Sequence, residues 1–156
     1  MRHEGDMDLA TITAQNTRAL LCLRSPNIDF MAAIRDYPYR GFIEAQITGC
    51  QPFVMFSNYD DIVAQHYLFR GPDSFESFSL KLWSHLSRMS KVVFDVGAFS
   101  GVFALAATHS NPDVKVVAFE PSLNTFVRLV TNVLANGMGG RIGTVKAALG
   151  ERDGQL

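Results

Sequence analysis

Val92-Val93-Phe94-Asp95-Val96-Gly97-Ala98-Phe99-Ser100-Gly101 decides the fold. An apolar run closes on an acid, two glycines follow four apart, and a helical pattern begins. In that order a strand hands over to a helix around a nucleotide-like ligand. Glycine lets the backbone turn sharply and approach the ligand closely. The following helix aims free N–H groups and its positive dipole end at an anionic group. A second strand pattern, Val116-Val117-Ala118-Phe119, ends at Glu120-Pro121. Asp95 and Glu120 stand 25 residues apart, room for one helix and one strand. A carboxylate at the second strand's tip can accept both hydrogen bonds of a ribose diol.

Outward from there, strand 91–96, helix 100–109, strand 114–119, helix 122–136 and strand 142–148 alternate. This predicts an α/β fold with a parallel sheet, right-handed crossovers and a ligand at the carboxyl ends of the strands. Ser122 is placed to cap the second helix. Phe126, Leu129, Val130, Val133 and Leu134 give that helix an apolar face, and Asn136-Gly137 ends it.

Upstream, residues 1–25 are weakly patterned, with an apolar patch at Ala19–Leu23. Asn27 is placed to cap a short helix through Arg35, ended by Tyr37-Pro38. Phe42–Ile47 and Pro52–Phe56 read as a hairpin around Gly49-Cys50. Tyr59–Leu68 has helical spacing until Gly71-Pro72 breaks it. Asp73 or Ser74 then caps a helix, with Glu76 in capping-box position. Phe75, Phe78, Leu82, Leu86 and Met89 share one stripe of it. The expected organisation is a lead-in over residues 1–90 and a Rossmann-like ligand-binding half over 91–156.

Composition sets the limits. The chain has 156 residues, of which 47% are hydrophobic, with 12 Phe, 4 Tyr and 1 Trp. That is one domain with a sizeable core, and it argues against disorder. The net charge is −1 with no basic run, so no nucleic-acid surface is expected. Cys22 and Cys50 have neither metal-ligand spacing nor the density of a disulfide framework, which suits a reduced, cytoplasmic protein. Met1–Asp6 is too acidic for a signal peptide. Val92–Ala107 is too short and too broken to span a membrane. His66, His85 and His109 are isolated, so no metal site is expected, and His109 suits a helix C-terminus. Trp83 reads as a core or rim aromatic.

The glycine pattern narrows the ligand. A nicotinamide dinucleotide site needs Gly-x-Gly-x-x-Gly, whereas this chain has Phe99 at the third place and Val102 at the sixth. A side chain at Phe99 obstructs a pyrophosphate. Asp-x-Gly-x-x-x-Gly suits S-adenosylmethionine, which has ribose and adenine but no phosphate. Its ammonium asks for a carboxylate or carbonyl, which Asp95 can supply directly or through water. The simpler readings are that Asp95 caps the next helix, that the glycines serve strand–helix packing, and that Glu120 is a strand-end acid.

Phe94-Asp95-Val96-Gly97-Ala98, Val117-Ala118-Phe119-Glu120-Pro121, Asn132 through Asn136-Gly137, and Ala147-Ala148-Leu149-Gly150 followed by Gly154 resemble the FkbM-type methyltransferases. The resemblance covers roughly residues 60–156. It implies a class I, S-adenosylmethionine-dependent methyltransferase that acts on a hydroxyl of a small molecule or a sugar. It assigns Asp95, Gly97, Ala98, Phe99 and Gly101 to the methionine end of the cofactor and Glu120 to the ribose. Ala147 and Ala148 fall near adenine. Phe99 and Ser100 depart from the family, which commonly has Asn and an aliphatic residue there.

The family's sheet has about seven strands, of which this sequence carries three, and its catalytic and acceptor-binding segments lie beyond them. No catalytic base is therefore named. The first strand's free edge is expected to be covered by the hairpin, covered by another chain in a homo-oligomer, or left bare. The competing readings are an inactive remnant or interaction module, and a nucleotide-binding oxidoreductase.

Overall fold

A computed structural model describes residues 8–23, 29–151 and 154. Helix α1 (Leu9–Cys22) begins where the Asp8 carboxylate accepts from Thr11 N–H, 2.7 Å away. Its many Thr, Gln and Asn positions hid it in a stretch that reads as weakly patterned. Helix α2 (Phe30–Asp36) is capped by Asp29, which accepts from Ala32 N–H. Asn27, the expected cap, lies outside the described residues. Strands β1 (Arg40–Ala45) and β2 (Phe53–Asn58) form the expected antiparallel hairpin.

Helices α3 (Ile62–Arg70) and α4 (Ser77–Arg88) follow. The α/β half then runs β3 (Val92–Val96), α5 (Val102–Ser110), β4 (Lys115–Phe119), α6 (Leu123–Ala135) and β5 (Ile142–Val145). All three strands are parallel, in the order β3-β4-β5. The architecture is therefore the expected Rossmann-like β–α–β–α–β arrangement. Strand β5 is shorter than its apolar pattern, because Ala147 N–H turns back onto Val145 C=O.

Helix α5 lies between the sheet and the hairpin. Val102, Ala104, Leu105, Ala106, Ala107 and Thr108 are all buried, as a helix covered on two sides requires. On the far side of α5 and α6, the hairpin buries Ile43, Ala45, Phe53 and Met55. The outer edge of β2 has no strand partner among the described residues; side chains of α6 take that place. Asn136 accepts from Val54 N–H at 2.9 Å and donates to Val54 C=O at 2.7 Å. Asn132 accepts from Phe56 N–H at 2.7 Å, and the Arg128 guanidinium lies over the Phe56 ring. Residues 128, 132 and 136 fall one turn apart on one helix face, so α6 answers a strand edge with a ladder of side chains. Asn136→Ala should cost about 1–2 kcal/mol by leaving both Val54 groups unpaired, a loss that the urea midpoint will show.

One expectation is corrected at α4. There is no capping box. The Asp73 carboxylate is taken by Thr48 N–H and Thr48 Oγ1, and it pairs with Lys81 Nζ at 3.0 Å. Glu76 occupies the N-cap place at φ 38° and makes no side-chain cap bond. Past Phe75, which packs against the core, the apolar stripe faces outward: Phe78 is 81% exposed and Met89 69%, while Leu80, Ser84 and Ser87 face in. Ser122 holds the N-cap place of α6, yet its side chain makes no cap bond either.

Among the described residues, the sheet is covered on one face only. Val92, Phe94 and Val96 alternate outward on β3, and Phe94 is 62% exposed against the partly covered Phe119. The hairpin forms its own sheet, and among the described residues nothing pairs the outer edge of β3. Of the three outcomes anticipated for that edge, cover by the hairpin is thus excluded. No described helix is long and apolar enough to cross a membrane.

Candidate functional site

The loop that follows β3 is tied to the carboxyl end of β4. Gly97 and Ala98 N–H both donate to Phe119 C=O, at 3.0 and 2.9 Å. Gly101 N–H returns to Ala98 C=O at 2.8 Å. The turn needs positive φ at three places: 78° at Gly97, 50° at Phe99 and 95° at Gly101. Glycine adopts this at no steric cost, whereas Phe99 is strained.

Glu120 joins the loop to β4. Its Oε2 accepts from Phe99 N–H at 3.0 Å and its Oε1 from Ser122 N–H at 2.9 Å. Glu120 is buried, and its own N–H reaches Val145 C=O at the tip of β5. Each carboxylate oxygen has spent one lone pair on backbone and keeps another. Glu120 can therefore still accept from a diol.

Asp95 lies on the α5 side of β3 and is 7% exposed. Its Oδ2 is buried with no hydrogen-bond partner. Burial raises its pKa to about 6, against a smaller pull downward from Ala104 N–H in the first turn of α5. The simpler reading, helix capping, is not met by a hydrogen bond: α5 has Gly101 at its N-cap place with no side-chain cap bond, and Oδ2 of Asp95 is unclaimed.

The two glycines differ. A Cβ on Gly101 would meet Leu129 Cδ1 at 2.6 Å, so this glycine is needed for packing. A Cβ on Gly97 would meet nothing within 4 Å. Packing does not require glycine at 97; its φ of 78° does, and the space in front of it is open. The structure thus brings Asp95, Gly97, Ala98, Phe99, Gly101 and Glu120 to one end of the sheet. Ala147 and Ala148 line a separate recess of about 240 Å³ with Pro121, Lys146 and Gly154.

Sequence reading missed the lead-in's contribution. Asp60, Asp61, Phe99, Ser100, Asn124, Thr125 and Arg128 line a half-open cavity of about 60 Å³ beside the loop. Arg128 pairs with Asp60 at 2.8 Å. The signal was present as Asp60-Asp61 directly ahead of a helical pattern.

At the opposite end of the sheet, a cleft of about 640 Å³ is lined by Cys50, Arg88, His109 and Arg141. The Arg141 guanidinium closes the α5 C-terminus on Thr108, Asn111 and Pro112 carbonyls. Burial lowers the His109 pKa, and its Nδ1 lies 2.9 Å from Leu105 C=O in the last turn of α5. No group of three or more metal-ligating side chains gathers among the described residues.

No family model and no curated protein matches this chain. Solved structures do. The SAM dependent methyltransferase from Agrobacterium tumefaciens aligns over 67% of this chain and 32% of its own, at 13% identity and a TM-score of 0.48. The SAH-bound Podospora anserina methyltransferase PaMTH1 aligns over 45% and 32%, at 20% identity and 0.42. P. horikoshii TYW2 in complex with MeSAdo aligns over 46% and 27%, at 22% identity and 0.42. The likeness is one of strand and helix order. This chain spans about a third of the length of the solved structures it matches.

Proposed function

We propose that this chain is the cofactor-binding part of an S-adenosylmethionine-dependent methyltransferase of the FkbM type. Its acceptor would be a hydroxyl on a small molecule or glycan. One observation carries the reading: a strand-tip acid with a bare buried oxygen, a glycine with open space in front of it, and a second strand-tip acid with free lone pairs share one loop.

These residues fit the cofactor. Asp95 would face its ammonium, directly or through water, and Glu120 would accept from the ribose hydroxyls. Gly97 and Ala98 would let the backbone approach its methionine end. Phe99, 40% exposed and held by Glu120, would lie beside it. Bound there, S-adenosylmethionine supplies a methyl group on a positively charged sulfur. The loop's share is to fix that group in line for an acceptor oxygen. The free thiols Cys22 and Cys50 support a cytoplasmic site of action.

A calorimetric titration with S-adenosylhomocysteine, with NAD as the control, tests this. Wild type should bind the homocysteine compound alone. Glu120→Ala should weaken it at least about tenfold, the loss of hydrogen bonds to a charged group. Binding of NAD instead would restore the oxidoreductase reading. Failure of both ligands with a folded protein would favour an interaction module, the reading that the bare β3 edge and outward α4 stripe support. Such a module would pair through that edge, as a homo-oligomer.

A further inference from the structure

The cavity beside the loop holds two polar atoms that the fold leaves unused. Asp61 is 2% exposed and Ser100 1%. Asp61 Oδ1 caps α3 alone, accepting from Val63 N–H at 2.9 Å and Ala64 N–H at 3.2 Å. Asp61 Oδ2 has no hydrogen-bond partner, and neither has Ser100 Oγ. The nearest cation, Arg128 Nη1, stands 3.8 Å from Oδ2, too far for a hydrogen bond, while Arg128 Nη2 is engaged by Asp60.

A carboxylate oxygen that can only accept and a hydroxyl that can donate share this one small cavity. The hydroxyl rotates about its C–O bond, so it can turn its proton toward the carboxylate. Burial pushes the Asp61 carboxyl up and the Ser100 hydroxyl draws it down, which agrees with such a pairing. Ser100 is held from behind as well, its C=O accepting from Asn132 Nδ2 at 2.8 Å. Its neighbour Phe99 has the strained φ that a turn keeps only when its surroundings hold it.

We propose that Asp61 is a positioning residue: through Ser100 it latches the glycine loop to the lead-in layer and sets how tightly the loop holds its ligand. The ligand half of this statement rests on the function proposed above; the latch half does not.

Asp61→Asn keeps the Oδ1 cap and changes only the bare atom. Ser100→Ala removes only a hydroxyl, and it carries the same test should Asp61→Asn fail to fold. Two readouts separate positioning from structure: S-adenosylhomocysteine affinity and amide hydrogen exchange in the ligand-free protein. Each single variant should weaken binding about fivefold to tenfold, and the double variant no further, since the pair acts as one unit. Phe99 and Gly101 amides should exchange about tenfold faster in each variant, while Gly97 and Ala98, bonded to Phe119, keep their rates. Unchanged affinity or additive losses, with loop exchange unmoved, would reduce Asp61 to a helix cap and overturn the proposal. If wild type binds no S-adenosylhomocysteine, the functional reading fails, and loop exchange alone then upholds or overturns the latch.

Discussion

Replacing Asp95 with Asn should stabilise this protein at neutral pH while weakening its hold on S-adenosylhomocysteine. The buried carboxyl has a pKa of about 6, above the ordinary carboxylate value of 3.8. Between those values the native state binds more protons than the unfolded chain, so stability falls as pH rises through that window. Above pH 6 the native state carries a buried charge that an amide would not. The relief is on the order of 2 kcal/mol, or roughly 4–8 °C in Tm for a chain of this size. The difference between variant and wild type should shrink below pH 6 and vanish near pH 4.

Binding should move the other way. Losing a charged partner for an ammonium weakens affinity about tenfold to a hundredfold. Wild-type affinity should rise with pH through about 6, and the Asn variant should lack that slope. Thermal melts and titrations from pH 4 to 8 measure both. A variant that is more stable and binds as tightly as wild type would leave Asp95 with no ligand role.

The second large effect separates the two glycines. Gly101→Ala forces a side chain into φ 95° and drives its Cβ to 2.6 Å from the fully buried Leu129. Strain and overpacking together cost about 3 kcal/mol, or roughly 6–12 °C in Tm. Gly97→Ala meets only the φ penalty, about 1 kcal/mol. Its methyl group points into open space, so its cost should appear in affinity, as a loss of at least about tenfold for S-adenosylhomocysteine. Melting and titration of the pair give opposite rankings on this reading. A Gly97→Ala variant that binds like wild type would show that the open space is not where a ligand approaches.

The parallel half was legible because its signals are local. Val92–Val96, the two glycines and Glu120 each announce an element or its end within a few residues, and apart from the end of β5 the observed boundaries lie within about two residues of the predicted ones. The lead-in was less legible because its decisions are tertiary. Asp73 reads as a cap until Thr48, 25 residues away, takes its carboxylate. Asn136 reads as a helix end until β2 supplies the strand edge that it and Asn132 satisfy. Asp61 falls inside the helical spacing read over Tyr59–Leu68, and its second oxygen has meaning only beside Ser100. The stripe on α4 has helical spacing, but spacing does not say which face meets the core.

The uncovered sheet face and the outward α4 stripe govern how folding can be observed. A fluorescent dye that lights up on apolar surface will find Phe78, Met89, Val92 and Phe94 already available in the native state. Dye-monitored melts will start bright and lose contrast, and a well-folded preparation will resemble an acid-expanded one. The single Trp83 offers the opposite. Its Nε1 donates to Phe103 C=O and its ring stands edge-on to Phe103, so its emission reports whether α4 remains docked on α5. For this protein, intrinsic fluorescence is the reporter that distinguishes a native surface from an unfolding one.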